Sequence, residues 1–250
     1  MTGMRRVARA ATAPAFVSRA SVAVLALLAS AASFGNGFVF DDGPIVQLNS
    51  RVHTLARWWE AFGHAYWPPH WGNTNYRPLT ILSFGVQWAL GDGSPAVFHA
   101  VSVVLYVATS LAVLALARLV LPASAAWVVA ALFAVHPVHV EAVANVVGQS
   151  ELLVALSSVL ATTIYVPMRS SGRRVEPRAV AAIGALYAVA CFSKETGFLL
   201  PGLLLAAEGT VVTARLDPAR RTLRTRVHEL GVVYAVCGGI GLAYLSARHA

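Results

Sequence analysis

The sequence predicts an all-α polytopic membrane protein, and three observations carry that reading. Of the 250 residues, 57% are hydrophobic and only 12% are charged, with a mean hydropathy of +0.65. A soluble domain carries about a quarter charged residues, so half that share describes a chain dissolved in lipid. Long runs free of Asp, Glu, Lys and Arg recur along the chain. The basic residues fall in short clusters between those runs, as in a chain that orients itself across a bilayer. The net charge of +8 therefore does not point to nucleic acid. The two cysteines, Cys191 and Cys237, both lie inside apolar runs, so neither a disulfide framework nor a cysteine metal site is implied.

A helix that crosses the roughly 30 Å hydrocarbon core needs about 20 apolar residues. The uncharged runs are Ala20 to Phe40, Gly93 to Ala117, Leu119 to Val140, Leu152 to Met168, Ala179 to Ser193 and Leu230 to Ala247, with Thr196 to Ala214 interrupted by Glu208 alone. They predict seven spans, at about 20–36, 96–117, 121–136, 150–168, 179–193, 197–213 and 230–247, within one membrane-embedded unit over 1–250. Residues 37–95 form a first outer loop that carries an interfacial helix. Leu79 to Leu90 reaches only about 18 Å as a helix and is expected to lie in the interface. Charge agrees: with that segment outside, 14 of the 19 basic residues face the cytoplasm and 5 face out, and the amino terminus is cytoplasmic. Arg5, Arg6 and Arg9 before an apolar stretch and Ala29-Ser30-Ala31 also have the form of a cleavable signal peptide. The uncharged run continues to Phe40, which suits an uncleaved anchor better.

On this topology the acidic residues gather at one face. Asp41 and Asp42 follow the first span, Glu141 and Glu151 bracket the turn between spans three and four, and Lys194-Glu195 occupies the next outer turn. Adjacent carboxylates repel and resist desolvation, and a chain carries such a pair when one binds a cation or acts as a base. The alternative is a solvated pair that ends a helix. His136-Pro137-Val138-His139-Val140-Glu141 ends span three, because Pro137 has no N–H and disfavours helix at His136. Two histidines and a carboxylate suit a divalent cation, but the proline spoils the helical spacing, and a polar rim around an anionic ligand fits better. Lys194 and Glu195 follow a run of only 15 residues, so they sit at the boundary as a functional pair or as an ion pair capping a short helix. Trp58, Trp59, Phe62, Tyr66, Trp67, Trp71 and Tyr76 crowd the first loop, either as interfacial anchors or as a surface that guides a lipid tail or acceptor. Arg77 ends that loop, where a guanidinium can meet a phosphate or simply snorkel.

Five blocks then occur in order: Phe38-Val39-Phe40-Asp41-Asp42, Tyr76-Arg77-Pro78-Leu79-Thr80, Leu132 to Ala144 around His136-Pro137-Val138-His139-Val140-Glu141, Gly148-Gln149-Ser150-Glu151-Leu152-Leu153, and Ser193-Lys194-Glu195-Thr196-Gly197. This order resembles the TMTC family, the transmembrane O-mannosyltransferases that target cadherins, and their bacterial relatives in the GT-C class of membrane glycosyltransferases. The resemblance runs from about Phe38 to Pro201. It implies a GT-C-like core of about seven helices, a polyprenyl- or dolichyl-phosphate mannose donor, a protein or glycan acceptor at the outer face, and inversion at the sugar. It implies catalysis by Asp41 and Asp42, with Arg77, His136, His139, Glu141, Glu151, Lys194 and Glu195 around the substrates and no certain cofactor. It also implies a bacterial inner membrane or an endoplasmic reticulum membrane. Gln149 stands where the family pattern has Arg, and the family's later spans and tetratricopeptide repeats do not occur in these 250 residues. A transporter or lipid flippase is the second reading, since ionisable groups in membranes also mark transport paths. A non-catalytic membrane scaffold is the third.

Overall fold

A computed structural model describes residues 12–71, 74–170, 176–215 and 223–249. Among these the chain is helical, without a strand. The helices are α1 (Thr12–Ser30), α2 (Pro78–Gly91), α3 (Pro95–Val120), α4 (Ala123–Val135), α5 (Val140–Ala144), α6 (Gln149–Ser170), α7 (Pro177–Ser193), α8 (Leu200–Ala207), α9 (Thr213–Arg215) and α10 (Leu223–His249). Proline sets several starts. Pro78, Pro95 and Pro177 lie in the first turns of α2, α3 and α7, where the missing N–H has no helical partner to lose.

Five segments are long and apolar enough to cross a membrane: Val17–Gly35, Pro95–Val120, Gln149–Ser170, Glu195–Arg215 and Leu230–His249. A sixth arises if α4 and the segment Pro137–Ala144, bent by 47° at His136, count as one span. The bend has the expected cause: His136 is extended, and its Nδ1 accepts the Val138 N–H at 3.2 Å. Helix α7 is apolar but has only 17 residues. Glu195–Arg215 is not a regular helix. It opens as a 3-10 turn (Glu195–Leu199), passes through α8, widens to π geometry over Glu208–Val212 and ends in α9.

The helices pack as two groups joined at α3 and α6. Residues of α1, α3, α4, α5 and α6 share one apolar core, including Val22, Ala26, Leu114, Ala130 and Leu152. Residues of α6, α7, α8 and α10 share another, including Tyr165, Ile183, Leu204 and Tyr244. A third core, of Ile45, Val46, Val52, Phe84 and Phe98, lies under the loop that precedes α2. Helix α2 is short, as expected, and seals this loop against α3 and α7. The Thr80 hydroxyl donates to the Ser193 carbonyl at 2.8 Å.

One basic residue differs from its expected setting. Arg169, counted among the cytoplasmic charges, is wholly buried at the end of α6 and pairs with Glu208 at 3.0 Å. The Tyr165 hydroxyl donates to the same carboxylate at 2.8 Å. Arg5, Arg6, Arg9, Arg173, Arg174, Arg220 and Arg221, which also enter the charge balance, lie outside the described residues.

Candidate functional site

The chain leaves the first span through a strained turn. Phe40 has φ +46° and is 91% exposed. A bulky residue rarely adopts that conformation, and such strain persists only where the surroundings impose it. The two carboxylates that follow have opposite surroundings. Asp42 is fully buried. Its Oδ1 accepts the Val147 N–H at 2.9 Å, and its Oδ2 accepts the Val146 N–H at 3.1 Å and the Val39 N–H at 3.2 Å. It therefore ties the turn after the first span to the turn before α6. Asp41 is exposed and lines a cavity of about 500 Å3.

That cavity collects five of the charged residues singled out from sequence: Asp41, Arg77, Glu141, Glu151 and Lys194. They come from four places in the chain. The expected pairing within Lys194-Glu195 does not occur. Lys194 pairs with Glu151, joining α7 to the start of α6. Glu195 accepts from Arg77, at 3.0 Å from Nε and 2.9 Å from Nη2. Neighbours in sequence are thus split between two cationic partners, because the extended backbone of Lys194 (φ −160°, ψ 150°) turns successive side chains apart. Both pairs are partly open to solvent, so each cation is held without being sealed away.

Two glycines of the sequence blocks have a physical reason. A Cβ on Gly148 would meet the Ala142 carbonyl oxygen at 2.5 Å and Asn145 Oδ1 at 2.7 Å. A Cβ on Gly197 would meet the backbone of Ala190 and Cys191 at 2.4 and 2.5 Å. Both turns press on neighbouring backbone, and only glycine fits. Gln149, where the resemblance leads one to expect Arg, faces inward. It exchanges amide hydrogen bonds with Gln87 at 2.8 and 2.9 Å and donates to the Phe98 carbonyl at 2.9 Å. It stitches α2, α3 and α6 together and does not line the cavity.

The histidines lie elsewhere. Helix α5 separates two spaces: Glu141 and Ala142 line the acidic cavity, whereas Val140, Val143 and Ala144 line a smaller apolar one of about 140 Å3. His136 and His139 belong to the smaller space. Among the described residues no three His, Cys, Asp or Glu side chains gather closely enough to hold a metal ion, so His136, His139 and Glu141 form no metal cluster here.

Several lining residues were not singled out as binding groups. Asn75, Asn145 and Ser150 add polar atoms; beside them Tyr66 and Trp67, two of the loop aromatics expected either to anchor the loop or to guide a lipid tail or acceptor, form an aromatic wall. The Arg77 guanidinium carbon lies 4.8 Å from the centre of the Tyr66 ring, which orients the cation toward the cavity. Burial pushes the Tyr66 phenol well above its usual range. The loop aromatics gave a signal, but interfacial anchors give the same one.

The fold and this polar recess define a multi-pass, all-α membrane protein with an acidic and cationic cavity at one end of its helices. No family model and no solved structure matches the chain. Curated relatives do. The chain is 31% identical to mouse protein O-mannosyl-transferase TMTC3 over 176 residues, covering 69% of the chain and 19% of TMTC3. It is 33% identical to Drosophila melanogaster protein O-mannosyl-transferase Tmtc2 over 218 residues, with 82% and 23% covered. It is 30% identical to mouse protein O-mannosyl-transferase TMTC4 over 228 residues, with 82% and 31% covered. The chain is a homologue of the TMTC family and spans less than a third of the length of each of these relatives.

Proposed function

We propose that this chain is the catalytic part of a membrane mannosyltransferase that moves mannose from a polyprenyl- or dolichyl-phosphate donor to a hydroxyl of a protein acceptor. The observation that carries the reading is one cavity that holds a free carboxylate, Asp41, together with two cations, Arg77 and Lys194. The names of the relatives supply the reaction class.

Asp41 takes the proton of the acceptor hydroxyl. The oxygen attacks the anomeric carbon from the face opposite the phosphate, the bond to the phosphate oxygen breaks, and the configuration inverts. Asp42 does not contact the substrate in this scheme. It holds the Asp41 turn in place through the three backbone N–H groups. The charge that develops on the leaving phosphate is met by Arg77 and Lys194, which exchange part of their contact with Glu195 and Glu151 for it. General-base assistance contributes about 10²–10⁴-fold, and fixed charges around the leaving group are commonly the larger contribution.

On the charge balance of the expected seven-span arrangement the amino terminus is cytoplasmic, and Asp41, Glu141, Glu151 and Lys194 lie on the outer or luminal face of a bacterial inner membrane or an endoplasmic reticulum membrane. A cysteine introduced at Ser50 is expected to react with an impermeant reagent from outside, and one at Ser171 is not. Labelling of Ser171→Cys from outside overturns the topology. The reaction is tested by incubating the purified protein with polyprenyl-phosphate mannose and a peptide acceptor. Radiolabelled, mass-shifted peptide is expected, and no transfer from any lipid-phosphate sugar overturns the assignment. Transport is the less favoured reading, because the ionisable groups crowd one end and the ion pair at the other, Arg169 with Glu208, is closed by burial.

A further inference from the structure

We propose that a second cavity, beyond Trp67, is the acceptor subsite, and that it takes an extended protein segment with an acidic side chain close to the reacting hydroxyl. This rests on the transferase reading above. The second cavity also has a volume of about 500 Å3. Residues 48–51 form one side, and His64, Ala65 and Trp67 with Pro68 and Pro69 form the other.

Trp67 lines both cavities. Ala65 lines the second and its neighbour Tyr66 the first, so the two spaces meet along one short stretch of chain. In the proposal a segment lying in the second cavity passes Trp67 and presents its next residues to the first, which Asp41 lines.

The charges of the two cavities differ in kind. The first is lined by three carboxylates, Asp41, Glu141 and Glu151, and its two cations are already paired. An acidic acceptor side chain there faces those carboxylates and competes with the donor phosphate for the same two cations. The described lining of the second cavity contains no carboxylate, and it contains Arg51 and His64. Arg51 uses Nη1 on the Ala65 carbonyl at 2.9 Å and Nε on Asn49 Oδ1 at 3.3 Å. Its Nη2 is buried without an acceptor. A buried charged donor without a partner is costly, and a carboxylate recovers that cost through a fork-shaped contact. Burial lowers the Arg51 pKa, while the residue as a whole stays half-buried and lines the cavity. Glu60 is the one carboxylate that acts on Arg51 electrostatically, and it is paired with Arg57 at 3.1 Å. The tryptophan suits an extended chain, since aromatic-lined grooves recognise preformed extended peptides.

The probe is a pair of equal-length peptides with one Thr flanked by Asp or by Lys, assayed with polyprenyl-phosphate mannose as donor. The Asp peptide is expected to have the lower KM. Ser50→Glu and His64→Glu add a negative charge at exposed positions of the cavity, and each is expected to raise the KM for the Asp peptide about tenfold, which corresponds to about 1.4 kcal/mol. The KM for the donor and the slow hydrolysis of donor by water stay unchanged. Arg51→Gln gives the same KM change, and the Glu variants decide the matter if that protein fails to fold. Anisotropy of a labelled Asp peptide reads binding without turnover. Equal KM values for the two peptides, or undiminished Asp-peptide binding in Ser50→Glu, overturn the acceptor subsite while leaving the transferase intact. Absence of both transfer and donor hydrolysis in the unmodified protein overturns the transferase reading instead, and peptide binding still decides the cavity.

Discussion

The two ends of α6 hold ion pairs of opposite character. At its start Glu151 meets Lys194, with side chains 46% and 21% exposed. At its end, about 27 Å away along the helix, Arg169 meets Glu208 with side chains 0% and 3% exposed. The Tyr165 hydroxyl completes the second site, and the π-widened turn at Glu208 carries its carboxylate to α6. A pair that solvent reaches can exchange partners with an incoming anion. A pair sealed by burial cannot do so without breaking the bundle, so one end is built for ligands and the other for holding helices together. The same contrast recurs at atomic scale in Asp41 and Asp42, neighbours in the chain with opposite surroundings.

Removing one partner of the sealed pair has the largest expected effect on folding. Arg169→Met leaves a buried carboxylate without its cation and is expected to destabilise the protein by about 3–5 kcal/mol. Adding Glu208→Gln to it recovers part of the loss. Thermal unfolding in detergent checks both, and equal stability of the single and double variants contradicts the burial argument. The next effect is smaller. Asp42→Asn replaces one acceptor oxygen by a donor that faces backbone N–H groups, and costs about 1.5–3 kcal/mol, read from the same melting curves. At the open end, Lys194→Gln is expected to change stability by less than about 1 kcal/mol while raising the KM for the lipid-phosphate donor. A large loss of stability there makes Lys194 a structural residue and removes the contrast.

The helical runs were legible because apolar composition alone dictates a helix in lipid. Each of the seven runs contains helix, five of them or six with the bent pair being long enough to cross a membrane, and the break at His136 follows from Pro137. The clustering of Asp41, Glu141, Glu151 and Lys194 was legible from their recurrence after alternate spans. The partners were not. Lys194 meets Glu151 from 43 residues away, and Glu195 meets Arg77 from 118 residues away. Such distant pairing is set by packing and leaves no local pattern. Asp42 was indistinguishable from Asp41 because its partners are backbone N–H groups of Val146 and Val147, which every residue but proline carries. The 3-10 and π turns of Glu195–Arg215 left no trace, since an apolar run reads alike for each helix type. His136 and His139 sit on the far side of α5 because the 3-10 turn at Pro137 rotates them away from Glu141.

The central claim is that Asp41 is the reactive carboxylate and Asp42 its brace. Asn keeps the shape of Asp but accepts no proton at neutral pH. Transfer of mannose from the lipid-phosphate donor is therefore measured for Asp41→Asn beside its melting temperature and its donor KM. The expected result is a turnover about 10²–10⁴-fold lower, with melting temperature and donor KM unchanged. A protein that folds normally and keeps near-full turnover contradicts the claim and moves the base to another carboxylate of the cavity, Glu141 or Glu151.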